Sequence, residues 1–284
     1  MANDREAGGA SDHVGFTRSL VAHPGLGPLR GLLLTLTVVT GVVDAVSILA
    51  LGRVFVANMT GNVVFSAFAV VGAPGFSLSA SLFALAGFLV GAYAGGRLIA
   101  RTAADRGALL RAGAGAEFGL AAAVLLIAGL SGDPGVSHGT LQLGNGTSDA
   151  FGAGVTDALA ALLAAAMGVQ NAVARKLAVP DLTTTVLTMT LTGIGADIRA
   201  AFRASPSGEN GGTTRAATRG DLGHRLLAVA TMVIGAAAGA SLTLRVSPLS
   251  AIALAAALLA LAAAWVTLAT RRPAGWRSFP AQKR

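Results

Sequence analysis

The residues that could do chemistry in this sequence are few, and all lie inside apolar stretches. Asp44 is the sharpest, with Thr37, Thr40, Gly41 and Ser47 on the same helical face by i±3, i±4 and i±7 spacing. A carboxylate in hydrocarbon is costly unless a cavity or a partner receives it, so it marks a site by default, as a ligand or a proton carrier. The competing reading is a structural hydrogen bond across helices, to Asn58 or Asn62.

Asn58, Thr60, Gly61 and Asn62 form a second polar cluster in "FVANMTGNVV", Phe55 to Val64. Gly61 can loosen a helix there and leave backbone amides aimed at a ligand. Further along, Gln170 and Asn171 precede the run "TTTVLTMT", which holds Thr183, Thr184, Thr185, Thr188 and Thr190. These threonines could serve a ligand in the same way, or bond back to their own helix behind an N-cap at Asp181. Gln170 and Asn171 could equally pack helices through their amides. Asn58-Met59-Thr60 and Asn145-Gly146-Thr147 match a glycosylation sequon, which carries little weight in such a chain.

Enzyme chemistry finds no support. The chain has no cysteine, so thiolate metal sites and cysteine nucleophiles are excluded. His13, His23, His138 and His224 are scattered, and no metal or cofactor site is expected from them. Phosphate loops, dinucleotide fingerprints, Gly-x-Ser-x-Gly and His-Glu-x-x-His are absent. Intramembrane proteolysis would need paired aspartates or a Ser-His pair within segments, and neither occurs.

The elements that must position these residues are membrane helices. Of 284 residues 54% are hydrophobic and 12% charged, against about 25% charged in soluble domains, and the mean hydropathy is +0.69. Eight apolar windows long enough to cross a bilayer fall at 31–51, 54–73, 78–99, 113–130, 155–174, 181–200, 224–244 and 249–270. Residues 1–28 read as a disordered cytoplasmic tail, 29–272 as one transmembrane domain with a flexible loop at 203–221, and 273–284 as a basic tail held by lipid headgroups. The net charge of +8 fits orientation by cytoplasmic loops better than binding of nucleic acid. Abundant arginine, alanine and glycine suggest a GC-rich bacterial genome.

The second half repeats the first at a spacing of about 127 residues: "GVVDAVSILALGRVFVANMTGNVV" (Gly41 to Val64) faces "GVQNAVARKLAVPDLTTTVLTMTL" (Gly168 to Leu191). Asp44 then aligns with Asn171, and a pseudo-twofold axis is expected to bring the two close. Arginines cluster at Arg97, Arg101, Arg106 and Arg111, at Arg175 and Lys176, and from Arg199 to Arg225, whereas Ser131 to Gly154 has no Lys or Arg. If 54–73 and 181–200 each enter and leave on one side, every cluster falls inside and only Arg53 and Arg245 lie outside. The fold expected is all-α and polytopic: about six transmembrane helices with two broken or re-entrant segments, in inverted repeat halves at 29–130 and 154–272. Seven to eight spans is the alternative, because 54–73 is long enough to cross.

Two further readings concern packing. Glu117 is expected to snorkel toward Arg111 or Arg106 in a structural role. Gly87, Gly91 and Gly95, like Gly235 and Gly239, have the small-xxx-small spacing that lets helices approach closely.

The Asp-Ala-Val triplet at Asp44, the run "FVANMTGN", the run "MGVQNA" and the threonine run together resemble the YoaK-like family of bacterial multi-pass membrane proteins, defined by a domain of unknown function. The resemblance covers about residues 30 to 270. It implies an inner-membrane location and assigns no catalytic residue. The residues lead to a small secondary transporter or permease whose midplane site is lined by Asp44, Asn58, Thr60, Gly61, Asn62, Gln170, Asn171, Thr184, Thr185 and Thr188. Its partners would be the lipid bilayer and an unknown small solute or ion, with a homo-oligomer left open. The alternative is a structural or regulatory membrane protein whose polar clusters hold helices together.

Overall fold

The computed structural model describes residues 26–102, 105–132, 151–177, 190–196, 211–271 (side chains from 222) and 275–279. Among the described residues six helices are long and apolar enough to cross a membrane. In chain order the helices are α1 (Leu29–Ala50), α2 (Met59–Val70), α3 (Leu78–Arg101), α4 (Arg106–Leu130), α5 (Ala153–Leu177), α6 (Gly211–Arg245) and α7 (Pro248–Ala269). Residues 190–196 are also helical. The exterior is apolar, with Leu89 68% exposed, Leu126 63% and Leu261 65%, while Asp44, Glu117 and Gln170 are inside. Large hydrophobes facing out and carboxylates facing in is the arrangement lipid selects.

Sequence signals fix the helix starts. Ser77 Oγ accepts from the Ala80 amide at 3.2 Å, and Asp105 Oδ1 accepts from Gly107 and Ala108 at 2.8 and 3.0 Å. Ser247 caps α7 through the Ser250 amide, with Pro248 in the first turn. Helix α6 begins at Gly211, well inside the stretch 203–221 expected to be loop. Its spanning part is Leu222–Arg245. Once a spanning helix exists, each further polar residue can add a hydrogen bond without a new nucleus, so polarity alone does not tell such an extension from a loop.

Window 54–73 does not cross. Gly52 and Arg53 have φ of 77° and 57°. These left-handed positions turn the chain back after α1. Residues 54–58 then run non-helically toward Asp44, and α2 starts at Met59. With 12 residues, α2 is about 18 Å long, short of the ~30 Å hydrocarbon core. Its far end returns to the end of α1, where the Arg53 guanidinium lies so close to Gly75 that an added β-carbon would collide with it. Phe65 holds this hairpin, stacked on Phe55 at 5.6 Å and tilted on Phe76 at 4.9 Å between ring centroids. The first broken segment is therefore re-entrant, and seven full crossings are excluded for this half. Of the second broken segment, 181–200, only residues 190–196 are described; the rest lies outside the described residues. The chain nonetheless leaves α5 and enters the spanning part of α6 at the same end, and an added β-carbon at Gly193 in the 190–196 helix would collide with Arg225 near the start of that part.

The spans pack with an internal twofold relation that the glycines reveal. A β-carbon on Gly235 would run into the Val38 carbonyl, and one on Gly91 into the Ala165 carbonyl. Gly239 meets Val42 as Gly95 meets Val169, and Gly41 meets Met232 and Ala236 as Gly168 meets Phe88 and Ala92. Every one of these correspondences holds at an offset of about 127 between α1 and α5, together with one constant offset between α3 and α6. Helices α1 and α6 thus pack in parallel just as α5 and α3 do, with backbones brought together through glycine. The remaining pairs obey the same exchange: α4 packs on α5 as α7 packs on α1, and α4 packs on α7 across the axis.

One end of the bundle gathers the basic residues. There the 3-10 turn Gly275–Arg277 lies across three helix ends. Trp276 packs on Gly27 ahead of α1. Phe279 lies under both Arg106 at the start of α4 and Lys176 at the end of α5, each 5.2 Å from the ring centroid. Arg277 pairs with Asp105, holding its carboxyl below the ordinary carboxylate value, and Arg30 lies 3.1 Å from His224 Nε2 where α1 and the spanning part of α6 begin. At the opposite end Ser79 donates to Asp157 at 3.3 Å, joining the starts of α3 and α5.

Candidate functional site

Asp44 lies two turns before the end of α1, and its carboxylate holds the strand that follows. The amides of Val56 and Ala57 donate to Asp44 Oδ1 at 3.2 and 3.1 Å. These amides lie in the unwound stretch before α2, where no helical carbonyl can take them, and a buried donor left unpaired would cost about 1–3 kcal/mol. The chain beyond α1 is thus drawn back into the bundle by one carboxylate.

Asn62 does a related task one turn into α2. Its Oδ1 accepts from the Phe55 amide at 2.8 Å and its Nδ2 donates to the Phe55 carbonyl at 2.6 Å. The side chain replaces both partners of one unwound residue, and it is fully buried. Gly61 is required by the same fold, since a β-carbon there would collide with the Phe55 ring. Asn58 and Thr60, at the start of α2, are exposed. They stand at the inner tip of the hairpin, where the unwound stretch meets α2, and Asn58 makes no side-chain cap.

The twofold axis runs through Thr40 and Met167, which are mates in the repeat and touch each other at 4.0 Å. Gln170 Nε2 donates to Thr40 Oγ1 at 2.8 Å, and Thr40 passes its own proton to the Leu36 carbonyl at 2.9 Å. Gln170 is fully buried, and its Oε1 has no hydrogen-bond partner among the described residues.

Asp44 and Asn171 do not meet, contrary to the expectation from the repeat. Each lies four residues beyond its mate at the axis, on helices that run in opposite directions, so they fall on opposite sides of it, on the order of 10 Å apart along the helices. An inverted axis unites only the residues it passes through. The Asn171 amide donates to the Met167 carbonyl at 2.8 Å. Thr184, Thr185 and Thr188, expected to line the site from the other half, lie outside the described residues. Among the described residues the arrangement is therefore a half-site at Asp44 and Asn62 beside a polar crossing at Thr40 and Gln170.

Glu117 departs most from its expected role. Instead of snorkelling to Arg111 or Arg106 it is 1% exposed, and its Oε2 has no hydrogen-bond partner among the described residues. Arg111 reaches Thr270 Oγ1 at 3.4 Å instead. The sequence did carry a signal, since Glu117 stands at the centre of α4, 11 residues past its first, too deep for its short stem to reach an interface. Among the described residues there is no group of three or more His, Asp or Glu that could hold a metal.

The fold and site together define a polytopic helical membrane protein with an inverted internal repeat and a re-entrant helix held at a buried carboxylate. Residues 32–265 match the family described as "Protein of unknown function (DUF1275)". The chain belongs to that family, which accounts for all six spans. No curated protein and no solved structure matches it.

Proposed function

We propose that this protein is a small secondary transporter or channel-like permease, with its site at the crossing of α1 and α5. The observation that carries this reading is the re-entrant segment, whose freed amides end on Asp44 beside the twofold axis. Discontinuous helices meeting at the interface of inverted repeats are the means by which many transporters form a midplane site and alternate its access. Asp44, Asn62, Gln170 and Asn171 belong to this site, with Thr184, Thr185 and Thr188 as its proposed complement from the second half and Asn58 and Thr60 beside it at the tip of the hairpin.

The end bearing Arg97, Arg101, Arg106, Arg175 and Lys176 faces the cytoplasm by the positive-inside rule, in a bacterial inner membrane as the resemblance to YoaK-like proteins suggests. Both ends of the chain then lie on that side.

A second reading draws on a specific observation: Asn62 and Asp44 already bond to the protein's own backbone. On that reading they are structural ties in a membrane protein that transports nothing. The readings separate in proteoliposomes carrying Asp44→Asn or Asn62→Ala, screened against ions and small metabolites. Loss of a solute flux that the wild type supports upholds transport. Unchanged flux with lowered thermal stability upholds the structural role.

A further inference from the structure

Glu117 and Gln170 bring two buried acceptor oxygens to one level of the bundle, and neither meets a donor among the described residues. Helices α4 and α5 are antiparallel, with Arg106 and Lys176 over one Phe279 ring and Gly113 against Val173. One turn inward from that contact on each helix stand Glu117 and the pair Val169 and Gln170. Glu117 Oε2 and Gln170 Oε1 are both buried with no hydrogen-bond partner among the described residues.

We propose that Glu117 is a buried proton-binding site at the bilayer midplane, with the Gln170 side-chain carbonyl as the acceptor that orients its acid proton. The ligand is a hydron taken from water and returned to water, and it turns the carboxylate into a neutral acid with a donor of its own. Two acceptors without a donor then become one hydrogen bond. An ionised and unpaired carboxylate at this depth would have neither water nor a countercharge.

Among the described residues no other charge competes for the role. Helix α7, packed on α4, has no ionisable residue. On α5 the ionisable groups are Asp157 in the second turn and Arg175 and Lys176 in the last. On α3, Arg97 and Arg101 are near its end, with Tyr93 exposed. On α4 itself Arg106 lies over Phe279 and Arg111 reaches Thr270. The repeat makes the site one-sided: aligning the N-caps Asp105 and Ser247 puts Leu259 opposite Glu117, and Leu259 is equally buried. One half supplies an acid where the other supplies only volume, so a single proton sits near the axis. This site goes beyond the transport reading and stands even if no solute moves.

Infrared spectroscopy of the full chain in liposomes, made with carboxyl-13C-glutamate, tests it. The only other glutamates are Glu6 and Glu209, both outside the six spans. At pH 7 the wild type should show an isotope-shifted carbonyl band of a protonated carboxylic acid, kept in Asp44→Asn and lost in Glu117→Gln. Gln170→Leu should keep the band and move it to the frequency of a free acid. Glu117→Leu, the residue its repeat mate carries, serves if the glutamine variant fails to fold. No such band in the wild type, a band surviving in both Glu117 variants, or a band unmoved by Gln170→Leu overturns the proposal. So does a band that vanishes when sodium chloride replaces choline chloride at fixed pH, since the site would then hold a metal cation.

Discussion

Replacing Asp44 with alanine removes the acceptor of two backbone amides at once, Val56 and Ala57, both buried. Each buried donor left unpaired costs about 1–3 kcal/mol, so the pair sets a range of about 2–6 kcal/mol. The carboxylate is 6% exposed, which lets a water reach the vacated space, so the lower half of that range is expected. Asp44→Asn keeps an oxygen in the Oδ1 position but gives up charge-assisted bonds roughly twice as strong as neutral ones, and should lose about half as much. Reversible unfolding in mixed micelles gives the free energies, and hydrogen exchange at Val56 and Ala57 reports the site directly. Both amides should exchange faster in the alanine variant, with residues 51–58 loosened and α1 intact. An alanine variant within about 1 kcal/mol of wild type, with Val56 and Ala57 equally protected, would refute the claim that Asp44 holds the re-entrant segment.

Gly91→Ala and Gly235→Ala put a β-carbon onto a neighbouring carbonyl; each should destabilise by about 1–3 kcal/mol or more in the same assay, by similar amounts if the repeat is real. Gly96→Ala, with open space around it, should be neutral or slightly stabilising. Ala73→Cys, in a chain without cysteine, should react with an impermeant maleimide from the side that Arg53 and Asp157 face, and labelling from the basic end would count against re-entry. The Arg277 hydrogen bond lowers the Asp105 carboxyl below its ordinary 3.8. The contact is therefore complete above pH 3.8 and is lost as pH falls through the lower folded value. Trp276 emission in a Trp265→Phe background should follow that loss, and Asp105→Asn should abolish the transition.

The site was legible in part. Asp44, Asn62, Gly61 and Gln170 stand out because polar residues within hydrocarbon demand a reason, and each proves to be at or beside the crossing or holding the unwound segment. What each one bonds to was not legible. Asn62 answers Phe55, seven residues earlier in the chain, and Gln170 answers Thr40 from 130 residues away. Thr40 had been noted only as a neighbour of Asp44 on one helical face. Glu117 was misplaced because its arginines lie within reach along the chain but are drawn to other partners at the basic end.

The sequence by itself determined that this is a polytopic helical membrane protein, because hydrocarbon thickness sets helix length and unpaired polar backbone is intolerable there; that window 54–73 does not cross was left to the structure. It also determined which end gathers positive charge, and that the halves repeat. The tertiary structure alone decided where the axis passes. Thr40 and Met167 meet on it while Asp44 and Asn171 part, since register along a helix says nothing of which residue another helix crosses. It alone decided that the re-entrant amides end on Asp44, and that Glu117 Oε2 is buried with no hydrogen-bond partner among the described residues. Those facts depend on packing between segments distant in sequence, which a local pattern of polarity does not encode.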